Sequence, residues 1–155
     1  MTKTRLTAFL SALVIGVGAA LGAGAPAQAA TPAIQLTKVY YDSPGTDNRS
    51  NSSLNAEYVR MTNRTSKAIN LKSWTLRDKA GHIYRFSSDY RLDPGKNVYV
   101  HTGSGTNGKP DYQHRYWNSG AYIWNNTGDA AYLRNPAGTL IDSCSWGSSG
   151  SYTYC

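Results

Sequence analysis

Hydrophobic and polar positions alternate with a period of two along much of this chain, the spacing of a strand with one face buried and one face wet. The clearest case is Ala56 to Asn63, where Glu57, Val59 and Met61 alternate with Tyr58, Arg60 and Thr62. Ile34 to Tyr41 is an earlier strand-like run, followed by a long polar loop, Asp42 to Asn55, holding Ser43-Pro44-Gly45 and many Ser and Asn. Leu71 to Asp78 and His82 to Phe86 flank Lys79-Ala80-Gly81 and read as a hairpin, with glycine where φ must be positive. Trp74 and Leu76 share one face of the first arm, Tyr84 and Phe86 one face of the second. Leu92-Asp93-Pro94-Gly95 is a turn signal: proline fits position i+1 and glycine takes the left-handed position. Asn97 to His101 then alternates again, with Val98 and Val100 inward and His101 outward. Asp129 to Arg134 and Thr139 to Ser145 make a second hairpin around Asn135-Pro136-Ala137-Gly138.

About seven short antiparallel strands with regular turn signals predict an all-β fold, an immunoglobulin-like antiparallel β-sandwich. The candidate core is Val59, Trp74, Leu76, Phe86, Val98, Val100 and Leu133. Thr102 to Thr127 reads as a loop of about 25 residues, longer than compact domains usually carry.

Composition sharpens this picture. The chain has 155 residues and a formal net charge of +7. Lys3 and Arg5, an uncharged apolar run from Leu6 through Leu21, and Ala27-Gln28-Ala29 form the pattern of a secretory signal peptide over residues 1–29. The folded domain is expected over 30–155, secreted, extracellular and without a membrane anchor. Aliphatics are scarce after Ala29, but all 12 Tyr and all 4 Trp lie there. One aromatic ring buries roughly 150–250 Å², so rings can build the core. The bias toward Gly, Ser, Thr, Asn and Tyr excludes a helical bundle, a coiled coil and a multi-domain enzyme.

Cys144 and Cys155 are the only cysteines. In an exported protein an even pair is most simply a disulfide, here tying the C-terminal tail to the last strand. His82, His101 and His114 are scattered, and none stands in a metal-binding spacing. Gly103 to Lys109 spells G-x-x-x-x-G-K, but Pro110 follows where a phosphate loop needs Ser or Thr and a helix. Asp42, Asp47 and Asn48 lack the spacing of a calcium loop, so no metal and no cofactor is expected. Glu57 is the only glutamate, and most aspartates sit in or beside turns, where they cap backbone. A small exported hydrolase would need two of them, or Asp with His, in one cleft; the expectation is a protein that is not an enzyme.

Two features point to binding. Arg60, Arg64, Lys67 and Lys72 fall close together around the second strand, a candidate patch for a polyanion: nucleic acid or an anionic cell-wall polymer. Tyr112 to Trp124 holds Tyr116, Trp117 and Tyr122 beside His114 and Arg115. In a core this poor in aliphatics these rings are expected to pack over the open end of the sandwich; flat aromatics flanked by basic groups also stack on sugars or bases, so a carbohydrate-binding module is the alternative. An interaction module can equally take a protein partner, and a small exported hydrolase is the remaining alternative.

Several of these segments in order resemble the lamin tail domain. Glu57-Tyr58-Val59-Arg60-Met61-Thr62-Asn63 resembles its E-[YF]-V-x-[LM]-x-N strand. Ile69 to Asp78 resembles its segment around a tryptophan, with Ser73 where the family usually has Gly. Tyr84-Arg85-Phe86, Leu92-Asp93-Pro94-Gly95 and Val98-Tyr99-Val100 continue in the expected order. Trp124-Asn125-Asn126-Thr127-Gly128-Asp129 with Ala131 and Leu133, then Gly138 to Asp142, complete the set. The resemblance implies an immunoglobulin-like sandwich acting as a non-enzymatic interaction module, with Trp74 in the core and Asn63 and Asp129 fixing turns and backbone.

Overall fold

Two mainly antiparallel layers and a two-stranded ribbon, with eleven short strands and one short helix among the described residues, make up the fold. The computed structural model describes residues 30–155; the leader expected over 1–29 lies outside the described residues. In chain order the elements are β1 (Ile34–Tyr40), α1 (Asn51–Ala56), β2 (Tyr58–Asn63), β3 (Ile69–Asn70), β4 (Thr75–Arg77), β5 (Ile83–Arg85), β6 (Arg91–Leu92), β7 (Asn97–His101), β8 (His114–Tyr116), β9 (Asp129–Arg134), β10 (Leu140–Trp146) and β11 (Tyr152–Tyr154). One sheet runs β11-β1-β2-β7-β8, the other β10-β9-β4-β5, and β3-β6 forms a small ribbon. This is an immunoglobulin-like sandwich.

The expected seven strands become eleven because several have only two or three residues, too short for alternation to register. β8 lies inside the stretch expected as a long loop and pairs parallel with β7. The polar loop before β2 contains α1, whose Ser50 cap accepts the Ser53 N–H on its Oγ at 3.3 Å, the usual way a serine satisfies a free donor of the first turn. Six residues give helical periodicity nothing to act on.

The core lies between the two main sheets. Val59, Val98 and Val100 come from one layer, Leu76 and Leu133 from the other, each at most 1% exposed. Leu76 pairs with Leu133 and with Tyr84 across neighbouring strands, which puts it at the centre. Phe86 and Trp74 close the layer at 2% and 8% exposure.

β1 shows how register is corrected. Ile34 and Leu36 point inward, yet so do Val39 and Tyr41, an offset that a period of two cannot give. A bulge between Leu36 and Lys38 inserts Thr37 opposite β2 and resets the alternation. The extra residue is buried, and its hydroxyl meets Thr62 Oγ1 at 3.0 Å.

Two turns follow from residue chemistry. Lys96 N–H donates to the Asp93 carbonyl at 3.1 Å, and Gly95 sits at φ 69° between them, the left-handed position of the turn. Ser73 sits at φ 67°, a conformation that any side chain disfavours. Its N–H donates to the Phe86 carbonyl at 2.8 Å, and the next N–H, of Trp74, turns back to Leu71 at 2.9 Å.

The Cys144–Cys155 disulfide spans 11 positions, with the Cα atoms 5.5 Å apart. β10 and β11 belong to different sheets, so the bond joins the two layers at one edge.

Candidate functional site

Strand alternation sends Val39, Val59 and Val100 inward and their neighbours outward, so the outer face of the five-stranded sheet is set by the intervening positions. Register aligns those positions in two rows. Tyr152, Tyr40, Tyr58, His101 and Tyr116 pair successively across β11, β1, β2, β7 and β8. Tyr154, Lys38, Arg60, Tyr99 and His114 pair across the same strands, one step along. At about 4.8 Å per strand each row runs about 19 Å across the sheet.

The first row is a continuous contact of rings. Centroids are 5.6 Å apart from Tyr152 to Tyr40, 5.7 Å to Tyr58, 5.8 Å to His101 and 5.3 Å to Tyr116. Three of the four pairs lie within 28° of parallel. Near-parallel rings at this spacing are offset stacks, so the rings stand out from the sheet and cover one another's faces. Their rims face water: among the described residues the hydroxyls of Tyr40, Tyr58, Tyr99, Tyr152 and Tyr154 have no protein partner, and none is buried.

Charge is held in the second row. The Lys38 ammonium lies 3.9 Å from the Tyr152 centroid, 5.0 Å from Tyr40 and 5.4 Å from Tyr154, within reach of the attraction between a cation and a ring face. Arg60 Nε donates to Thr37 Oγ1 at 2.9 Å, which fixes the guanidinium over β1. No aspartate or glutamate occurs in β1, β2, β7, β8 or β11.

The histidines form a bonded pair. His101 Nδ1 is 2.7 Å from the Asn55 carbonyl, so it carries the proton and donates. His101 Nε2 lies 2.7 Å from His114 Nδ1, and one of these two must be bare to accept. Burial lowers the His101 pKa and His114 adds to that, while the bond to Asn55 opposes it.

The basic residues expected as one patch divide. Arg60 joins Lys38 on the outer face. Arg64 follows β2, and its Nε donates to Gln35 Oε1 at 2.7 Å beside that face. Lys67 is exposed on the next loop. Lys72 is held by Asp89 at 3.2 Å. It follows β3, which pairs with β6 and not with the five-stranded sheet.

The aromatics of Tyr112 to Trp124 divide as well, and do not form one exposed strip. Tyr116 enters the ring row. Trp117 packs edge-on against Trp124 at 5.8 Å, and Trp124 is 1% exposed in the core. Tyr122 is tied down, its hydroxyl 2.6 Å from Ser53 Oγ. A core poor in aliphatics draws these rings inward. The ring row instead takes residues from five separate strands, and the i, i+2 pairs Lys38/Tyr40, Tyr58/Arg60, Tyr99/His101 and Tyr152/Tyr154 were its signal in the sequence.

Buried carboxylates hold backbone. Glu57 accepts the N–H of Trp124 at 2.8 Å and of Ile123 at 3.2 Å, anchoring the end of the long loop. Burial pushes its carboxyl up to about 7, against the opposing pull of those two N–H groups. Asp78 accepts from Gly81 and His82 N–H, both at 2.6 Å, and Asp129 from Ala130 at 2.8 Å and Lys79 at 3.0 Å. Among the described residues no group of three or more His, Cys, Asp or Glu is placed to hold a metal.

The family model of the lamin tail domain matches residues 27–148. The match stops short of β11, so the strand supplying Tyr152 and Tyr154 lies outside it. A search of curated proteins finds no match to the chain.

Proposed function

Because the chain belongs to the lamin tail domain family, a family of non-catalytic immunoglobulin-like domains, we propose that it is an exported interaction module. Its partner is an anionic polymer, nucleic acid or a cell-envelope polymer, docked on the outer face of the five-stranded sheet. The observation that carries this reading is the pair of registered rows: Lys38 and Arg60 among solvent-facing phenols, on five strands without a carboxylate. An oxyanion accepts from ammonium, guanidinium and phenol alike. Stacking of a neutral sugar needs open ring faces, and here the rings cover one another. Export is supported by the leader pattern over 1–29 and by a disulfide of the kind that persists in oxidising compartments.

The test passes the chain lacking residues 1–29 over immobilised heparin and DNA at rising salt. Retention is expected to fall steeply, because polyanion binding releases counterions. Replacing Lys38 and Arg60 together by alanine is expected to lower the salt slope by about 2, at ~0.9 per phosphate contact. No retention, or retention indifferent to salt, overturns the reading.

A further inference from the structure

Arg115 points to the opposite side of β8 from His114 and Tyr116, and the outer face makes no use of it. It is a cation only 8% exposed. Buried arginines are almost always paired, because a charge taken out of water is costly unless an opposite charge meets it. Among the described residues no carboxylate oxygen lies within 4.0 Å of this guanidinium. Its one hydrogen bond among these residues runs from Nη1 to the His114 carbonyl at 2.8 Å.

Rings surround it instead. The guanidinium carbon lies 3.9 Å from the Tyr90 centroid and 5.1 Å from that of Tyr112. Ring faces satisfy the flat side of a guanidinium. Its N–H groups lie in the plane and still need acceptors. None of its nitrogens is both buried and unpartnered, so the free N–H groups reach solvent. A second donor stands in the same cluster: Tyr90 is 1% exposed, and its buried hydroxyl has no partner among the described residues. Buried polar groups are rarely left so. Tyr112, 56% exposed, lies over Tyr90 with centroids 4.8 Å apart. Next to both opens a cleft of about 230 Å³ whose wall includes Tyr90, Tyr112 and Gln113, the cations Arg91 and Lys96, and the carboxylate of Asp93. Of the nearby carboxylates, Asp111 accepts from Gln113 N–H at 2.8 Å, and Asp93, on the cleft wall, lies 3.8 Å from Arg91 Nε, so each has its own neighbour and neither reaches Arg115.

What the cluster lacks is an acceptor from the protein itself. We propose that Arg115 and the Tyr90 hydroxyl, covered by the Tyr112 ring, form a binding site for an oxyanion, a carboxylate or phosphate group that accepts from both. An anion enters from the cleft as Tyr112 moves aside.

The test titrates the isotope-labelled protein with sodium acetate and, separately, sodium phosphate, at ionic strength held constant with sodium chloride. The Arg115 side-chain N–H and the amides of Gly108, Tyr112 and His114 are followed by NMR. Saturable shifts with either anion are expected, and the stronger binder identifies which oxyanion the site takes. Tyr90→Phe keeps the ring and removes the unpartnered hydroxyl. It is expected to weaken the anion about tenfold without loss of stability. Shifts no larger than those caused by chloride, or a Tyr90→Phe protein that binds the anion as before, overturn the proposal. Either failure leaves the polymer reading standing, because Lys38 and Arg60 lie on the other side of the sheet.

Discussion

The Lys38 ammonium stands 3.9 Å from the centre of the Tyr152 ring. The contact exists because β11 turns back from β10, adds itself to β1 in the other sheet, and is held there by Cys144–Cys155. The tail thus adds a strand, two rings of the outer face and the surroundings of one of its two central cations.

Breaking the disulfide, with reductant or by Cys144→Ser with Cys155→Ser, is expected to lower stability by about 2–3 kcal/mol, the loop-closure value for a short loop. Urea unfolding with and without reductant measures this. Heparin retention is expected to fall in parallel as Lys38 loses its tyrosines. A protein unchanged in both respects contradicts the role given to the tail.

Arg60 and Lys72 separate a placed cation from a neutralised one. Arg60→Ala is expected to weaken heparin retention and lower the salt slope by about 1. Lys72→Ala is expected to leave both unchanged, because Asp89 already accepts from its ammonium. Elution salt on one column compares the two directly, and equal losses count against the outer face as the docking surface.

Ser73 occupies a backbone conformation that costs a residue with a Cβ about 1–2 kcal/mol. Glycine removes that cost but loses roughly 0.5–1 kcal/mol through the freedom of its unfolded chain. Ser73→Gly is therefore expected to stabilise by about 0.5 kcal/mol, the difference between the two effects, and Ser73→Val to destabilise. Denaturant midpoints for the two variants check the opposite signs.

Glu57 makes stability depend on pH. Its carboxyl is raised from 4.5 to about 7 in the folded state, so between those values the native protein binds more protons than the unfolded chain. Its contribution is fully present below pH 4.5, is lost as pH rises through 7, and amounts to about 3 kcal/mol. His101, held low, has the opposite slope, so the effect is read as the difference between wild type and Glu57→Gln. Wild type is expected to lose stability relative to the variant as pH rises from 4.5 to about 7. A constant difference across that range contradicts the buried carboxyl as described.

The sequence made the longer strands legible because alternation needs four or more residues to show, as in Tyr58 to Asn63. It marked the turn at Gly95 through proline and glycine chemistry. β8, with three residues, and α1, with six, are too short for either periodicity to register. Arg60 was visible as a basic residue, but its neighbour Lys38 lies across a strand pair, and pairing order is set by tertiary packing. Tyr122 and Trp117 stand in a segment that also holds His114 and Arg115, so the sequence alone left them open as a ligand platform; the N–H bonds to Glu57 that draw the end of this segment inward are long-range contacts.

The most direct test of the polymer account is an amide-resolved NMR titration of the chain lacking residues 1–29 with a short heparin oligosaccharide. The account predicts saturable, salt-sensitive shifts concentrated at Lys38, Tyr40, Tyr58, Arg60, Tyr99 and Tyr152, on strands β1, β2, β7 and β11. Shifts confined to β4, β5, β9 and β10, or none at low salt, contradict it.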